Sequence, residues 1–371
     1  MRSVAARCMP RLPVRDLDHV LQYARESFES LRGARILITG GTGFFGRWLV
    51  ESLLHADEHL ELGASVVLLS RDPDAFARRA PHLAGSASVT VVQGDVRTFA
   101  APSGRFTHLV HGATDTTGPL NAERPAELLE TIIEGTRHTL EIASRTLVRR
   151  VLLLSSGAVY GRQPSALSHV PESYEGGPQP LDPHQAYAEG KRVAELLGAI
   201  YARDRDLHVV TARAFAFVGP HLPLDAHFAV GNFMRDALED DTIRVGGDGT
   251  PYRSYLHSAD LAVWLWTMLV RGHSGRAYNV GSEEAVSIRE LADAVARAAR
   301  SIGRNPAVSI ARSADPTALP ARYVPSTRRA REELGLRAHI TLDEALTRTF
   351  AWLSKPADNP VGAAPSHASA T

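Results

Sequence analysis

Residues 36–46 read ILITGGTGFFG. A run of isoleucine, leucine and threonine stops at Thr39, Gly40, Gly43 and Gly46 follow, and the apolar spacing of a helix begins near Phe45. A glycine pattern alone is a weak signal. Strand, glycines and helix in this order make it a dinucleotide-binding one. Glycine allows the tight turn and the close backbone approach that a pyrophosphate needs, and the first free N–H groups of the helix point at that anion.

Outward from this loop, short apolar runs alternate with helical stretches. The runs are 35–39 (RILIT), 65–70 (SVVLLS), 89–93 (VTVVQ), 108–111, 151–155 (VLLLS) and 208–213; helical patterns occupy 47–55, 126–144 and 186–203. Continuous apolar strands between helices predict an α/β protein with a Rossmann-type, doubly wound parallel sheet over residues 34–220. Beyond Gly219 and Pro220 the alternation loosens. Helices at 231–238, 259–270, 288–301 and 342–353, with short strands near Ile243, Tyr255 and Ala277, predict a smaller mixed α/β substrate region over 221–355, from which segments can return to the first domain. Residues 1–33 divide into a loose tail, 1–15, and an added helix, 16–31 (DLDHVLQYARESFESL). The Ala/Pro/Ser-rich end, 356–371, is expected to be disordered.

The 371 residues suffice for a large core, and 41 basic residues balance 41 acidic ones, so no global field recruits nucleic acid or an anionic membrane. A single cysteine, Cys8, forms no internal disulfide and no cysteine-built zinc site. The most apolar stretch, 261–270 (LAVWLWTMLV), is shorter than the ~18 residues of a membrane span, and the arginine-containing start lacks the apolar core of a secretory signal. A cytoplasmic location is expected. His111, His184, His221, His227 and His257 are scattered without an HxxxH or mixed carboxylate cluster, so no metal site is expected.

The sequence holds two lysines, Lys191 and Lys355. Tyr187-Ala-Glu-Gly-Lys191 places a phenol and one of those ammonium groups a turn apart on one helix face. A tyrosine of pKa about 10 is a poor base at neutral pH, and a neighbouring ammonium favours its phenolate. Lysine is compact and rotatable and can also hydrogen-bond a cofactor ribose; arginine's planar fork replaces it poorly. Residues 155–161 (SSGAVYG) follow the fifth strand at the carboxyl edge where open sheets bind ligands. A serine there can hold the substrate oxygen that Tyr187 deprotonates, or simply cap a turn. The second strand ends Ser70-Arg71-Asp72, without an acid at the position that grips a ribose 2′-hydroxyl. The cofactor is therefore NAD or NADP, with Ser70 and Arg71 favouring NADP. Asp95, ending the third strand, is a candidate adenine contact.

Glycine loop, serine loop and tyrosine–lysine pair, in this order, resemble the extended short-chain dehydrogenase/reductases, specifically the NAD-dependent epimerase/dehydratase family acting on nucleotide-diphosphate sugars. The resemblance spans about residues 35–353 and includes RAFAFVGP (213–220), GDGTPYRSYLHSADL (247–261) and YNVG (278–281). It implies Ser156 as the substrate-oxygen contact, Tyr187 as base or acid, and Lys191 as its partner. Asn232 and Arg253 are implied at the substrate's diphosphate and base, where arginine's fork matches phosphate oxygens. The candidate cofactor surface comprises Gly40, Thr42, Gly43, Phe44, Phe45, Gly46, Ser70, Arg71, Asp95, Val96, His111, Ala113, Tyr187 and Lys191. A homodimer through the Tyr187 helix is implied as well.

The departures narrow the reaction. Where 4,6-dehydratases of this family carry an acid pair, this chain has Gly157 and Ala158; the sugar-acid decarboxylases carry a glutamate where Ala158 stands. Yet the segments YAEGKR and GNF…YRS look closer to the decarboxylases. Ile132 and Ala216 replace asparagines usual in the family. A side chain that cannot titrate cannot be the acid, so the leading expectation is hydride transfer at a hexose C4, by an epimerase or a 4-ketoreductase. A dehydratase or decarboxylase using another acid, Glu172 or Glu189, is the alternative; a cofactor-bound regulatory protein without catalysis is a third.

Overall fold

The computed structural model describes residues 9–114, 123–226 and 228–354. The predicted strands form β1 (Arg35–Thr39), β2 (Ser65–Ser70), β3 (Val89–Gln93), β4 (His108–His111), β5 (Arg150–Ser156) and β6 (His208–Ala214). A seventh, β7 (Ala277–Val280), pairs parallel to β6, and the sheet runs β7-β6-β5-β4-β1-β2-β3. β1 lies between β2 and β4, both parallel to it, so the winding reverses at β1 and opens a crevice at the carboxyl ends of β1 and β4. The run near Ala277, read from the sequence as part of the smaller region, is thus the main sheet's edge. It joins there because its apolar residues complete the face beside β6, which an eight-residue window of sequence does not reveal.

Eight longer helices cover the sheet and build the rest: α1 (Val14–Glu29), α2 (Phe44–Leu60), α3 (Pro125–Arg145), α4 (Ala186–Asp204), α5 (Ala229–Glu239), α6 (Ser258–Arg271), α7 (Ile288–Ala299) and α8 (Leu342–Leu353). No described helix is long and apolar enough to cross a membrane. In the smaller region, Tyr252–Arg253 pairs with Val286–Ser287 and with Arg322–Tyr323, and Thr242–Val245 pairs with Ala307–Ile310. The strand expected at Tyr255 is split around it, because Leu256 and His257 pair instead with Phe217 and Val218.

The N-terminal segment is not a loose tail from residue 9 onward. Met9 N donates to Arg79 O (2.8 Å), Leu12 N to Glu51 Oε2 (2.7 Å), and Trp352 Nε1 to Arg11 O (3.0 Å). Residues 1–8 and the predicted tail 356–371 lie outside the described residues. The added helix α1 packs on α2 and α6, with Phe28 fully buried 5.6 Å from the Trp266 ring. Its fully buried Asp16 accepts from Arg348 of α8 at 2.7 Å, and His19 Nε2 lies 2.7 Å from Asp260 Oδ1 on α6. Desolvation still holds the Asp16 carboxyl above the usual range, although Arg348 opposes it. The extension is therefore part of the core. Phe28→Ala is expected to lower stability by about 3–5 kcal/mol, the usual cost of emptying a packed aromatic site, as read from urea denaturation.

Candidate active site

The glycine loop is shaped by what its glycines touch. Gly40 has φ +76°, and a Cβ there would sit 2.6 Å from the Gly112 backbone; one on Gly46 would sit 2.3 Å from Gly41 Cα. These two glycines are required by β4 and by the loop itself. Gly43 is exposed and its added Cβ would meet little besides Gly40 O at 3.4 Å, so its backbone faces the crevice at the start of α2. That is the surface on which a diphosphate approaches a helix N-terminus. Phe44 and Phe45 open the helix, and Phe45 turns edge-on to Phe217 at 5.2 Å. Buried Arg47 donates from Nε to Thr42 O (3.2 Å), bracing the loop from behind.

The rest of the candidate cofactor surface divides. Ser70 Oγ accepts from Asp72 N, and Asp72 Oδ1 caps the following helix at Ala75 N (2.8 Å), so Asp72 is turned outward. Arg71 is exposed at this strand end. Asp95 is bound by Arg97 through Nε (2.9 Å) and Nη2 (2.8 Å), which holds its carboxyl down at about 2; Val96 is buried against Gly135. His111, expected at the cofactor surface, has its side chain committed within the protein. Its imidazole is buried with Nδ1 2.7 Å from Thr39 Oγ1 and Nε2 3.0 Å from Thr136 Oγ1, and burial, with Lys191 nearby, lowers it to about 3. It is a neutral strut linking β1, β4 and α3. Ala113 N reaches Thr39 Oγ1 at 3.4 Å.

At the end of β5 the two serines take opposite roles. Ser155 Oγ donates to Glu195 Oε1 (2.5 Å) on α4, whereas Ser156 Oγ caps Ala158 N (3.1 Å) and faces the Tyr187 phenol. Lys191, buried on α4, donates from Nζ to Leu154 O (2.8 Å) and Thr114 Oγ1 (2.9 Å), and Nζ lies 5.8 Å from the Tyr187 ring centre. Ser156, Tyr187 and Lys191 are thus brought together. The electrostatics depart from the sequence reading, which expected the ammonium to lower the phenol's pKa. Burial beside Leu128, Ile132 and Ala194 pushes Tyr187 up, with only the Ser156 hydroxyl opposing, while burial lowers Lys191 to about 8.

Sequence reasoning missed Tyr323. Its hydroxyl faces Ser156, and its ring lies tilted against Phe215 with centres 4.6 Å apart. A Cβ at Gly157 would sit 2.7 Å from both the Tyr323 hydroxyl and Phe215 Cζ, so another element's phenol fills the space where a side chain at 157 would begin. The Arg253 guanidinium lies 5.8 Å from the Tyr323 ring, which brings this predicted residue to the same wall. Asn232 is half-buried on α5, and no side-chain hydrogen bond joins it to another described residue. Nothing in the local sequence marks Tyr323, which arrives from 136 positions beyond Tyr187 through a two-residue strand.

The alternative acids point elsewhere. Glu172 Oε1 accepts from Asn279 N (2.9 Å), and Glu189, two residues after Tyr187, lies on the opposite face of α4 beside Arg192 (3.6 Å). Both line an outer cleft with Glu195 and Arg213.

With this geometry in view, residues 36–281 match the model of the NAD-dependent epimerase/dehydratase family. The chain belongs to that family. UDP-glucuronic acid decarboxylase 3 of Arabidopsis thaliana is 30% identical over 314 residues, 84% of this chain and 86% of the relative. Two solved structures show the fold shared across reactions. DesIV of Streptomyces venezuelae, a dTDP-glucose 4,6-dehydratase with NAD bound, matches with TM-score 0.71 and 25% identity over 86% of this chain and 96% of that one. UDP-glucose 4-epimerase of Thermus thermophilus, with NAD, matches with TM-score 0.69 and 26% identity over 86% and 99%.

Lys191 supplies a pH test. Its charge is complete well below pH 8 and is lost as pH rises through about 8. A dinucleotide whose ribose the ammonium holds should bind less tightly at pH 9 than at pH 7, and Lys191→Met should bind more weakly with no such pH dependence, as followed by NADH and NADPH fluorescence titration.

Proposed function

We propose that this member of the family binds a nucleotide-diphosphate sugar and exchanges a hydride with the hexose C4, as an epimerase or a 4-ketoreductase. The observation that carries the reading is the space beside Ser156, where Gly157 and Ala158 offer no titratable side chain and Tyr323 with Phe215 fills the volume above Gly157. In the oxidative direction the Tyr187 phenolate takes the C4 hydroxyl proton, becoming the phenol, while the hydrogen at C4 leaves as hydride; the nicotinamide, when bound, would be its acceptor. Ser156 and Tyr323 hold the sugar oxygen in line, the Ser156 hydroxyl opposes the burial by which the apolar wall of Leu128 and Ile132 disfavours the phenolate, and the buried Lys191 ammonium holds the cofactor ribose. Arg253, and Asn232 on α5, hold the diphosphate and base, so that remote binding orients the ring.

NADP is the dinucleotide favoured by the end of β2, where Asp72 is committed to its helix and Arg71 is exposed. The solved relatives carry NAD, so the two are compared directly. Arg71→Ala should weaken NADPH binding by about tenfold or more, the loss of one charge-assisted contact, and leave NADH binding unchanged. A homodimer through α4 fits its outer face, where Leu196 and Ile200 are exposed opposite Tyr187.

The Arabidopsis relative favours a second reading, decarboxylation of UDP-glucuronic acid. The epimerase and decarboxylase readings both begin with oxidation at C4; on UDP-glucuronic acid that oxidation gives a β-keto acid, whose carboxylate a decarboxylase releases as CO₂. The decisive assay incubates the full chain with UDP- and dTDP-hexoses and UDP-glucuronic acid, each with NAD, NADP or NADPH, and resolves the products. A C4 epimer or a reduced 4-ketone is expected, and Tyr187→Phe should lower turnover about 10²–10⁴-fold with cofactor affinity kept. CO₂ from UDP-glucuronic acid would replace the first reading with the second, and full activity of Tyr187→Phe would remove both.

A further inference from the structure

The sequence reading passed over an HxxxH pair, His55-Ala-Asp-Glu-His59, on α2. The two imidazoles project from one face a turn apart, with ring centres 4.2 Å apart. From the added helix α1, Asp18 brings its carboxylate to the same spot, with Oδ1 2.8 Å from His55 Nε2. One ligand atom from each of the three residues lies within 4.8 Å of the others. This corrects the expectation of no HxxxH or mixed carboxylate cluster: Asp18, His55 and His59 form one.

We propose that Asp18, His55 and His59 bind one divalent transition-metal ion of the zinc or nickel class, which fastens the added helix α1 to α2. Two imidazoles and one carboxylate suit such ions better than the all-oxygen sets of calcium or magnesium. One ring nitrogen of His59 is already committed. Its Nδ1 lies 2.7 Å from the His55 carbonyl oxygen, which fixes the proton on Nδ1 and leaves Nε2 with a free lone pair. For His55 and Asp18, donor atoms 2.8 Å apart, each about 2.1 Å from one ion, subtend an angle of about 85°, a cis arrangement that an octahedral or distorted tetrahedral site accepts. The ion would replace the proton that these two atoms share. Asp18 and His59 are exposed while His55 is largely covered, so the site opens to solvent on one side and water completes the shell.

The position sets the role. His55 stands eleven residues beyond Phe44, roughly 16 Å along the helix axis from the glycine loop, so the ion takes no part in hydride transfer. It bridges the two helices on which the N-terminal extension depends. The site is independent of the reaction proposed above.

The test uses the full chain without a histidine tag, freed of metal and titrated with Zn²⁺ and separately with Ni²⁺ by calorimetry, with native mass spectrometry for stoichiometry and a thermal melt for coupling. One ion should bind and raise the melting temperature. His59→Ala and Asp18→Asn, both exposed and tolerable to the fold, should each weaken that binding on the order of tenfold or more and remove the thermal shift, with the metal-free melting temperature unchanged. The sequence has 16 histidines, so binding alone is not enough. An isotherm the same in wild type and His59→Ala would overturn the proposal by placing the ion elsewhere. Absence of binding in wild type would leave only the His55–Asp18 hydrogen bond, and would overturn it too.

Discussion

The candidate site depends on one partly buried ion pair, Glu195 with Arg213. Glu195 on α4 meets the Arg213 guanidinium on β6 at 2.7 Å and accepts from Ser155 on β5, while Arg213 Nη1 donates to the Tyr160 hydroxyl, which donates in turn to Asn279 Oδ1 on β7. One network thereby links β5, the loop after it, α4, β6 and β7. Glu195 is four residues after Lys191 and eight after Tyr187, so its bond to Ser155 fixes how α4 lies along β5. That alignment brings the Tyr187 phenol to the next serine. Removing one partner of such a pair leaves the other charge uncompensated, typically at a cost of about 3–5 kcal/mol. Three of the motifs that carry the family resemblance, SSGAVYG, RAFAFVGP and YNVG, meet here through Tyr160, Arg213 and Asn279.

Held in place this way, the reactive groups sit in surroundings that oppose their ionised forms. Ile132, where a family asparagine is usual, packs with Leu128 and Ala194 around Tyr187 and leaves hydrocarbon where a polar relay would stand. The phenol therefore keeps its proton more firmly than in water, and the Lys191 ammonium gives its up more readily. The dry wall makes each remaining interaction count for more: the Ser156 hydroxyl on the phenol, and the Leu154 carbonyl and Thr114 hydroxyl on the ammonium.

The N-terminal extension and the C-terminal third support the same centre from outside. α1 is clamped through Asp16 and His19 to α8 and α6, residues 9–12 bond to α2 and to the chain's last described helix, and Arg322–Tyr323 returns to stand over Ser156. The described ends of the chain are built into the sheet's cover.

Much of this was legible in the residues. The glycine loop, the six apolar runs, the winding and the Tyr187–Lys191 spacing are local patterns, and local patterns follow from backbone sterics and a helical repeat of 3.6 residues. They determined the parallel sheet, the crevice and the two groups on one face of α4. Tertiary structure alone decided which serine faces the phenol, that His111 is spent between two threonines, that β7 closes the sheet, and that Tyr323 fills the space above Gly157. Those outcomes rest on contacts between segments far apart in the chain, such as Tyr160 with Asn279, 119 positions away, and on desolvation, which depends on everything packed around a group rather than on its neighbours in sequence.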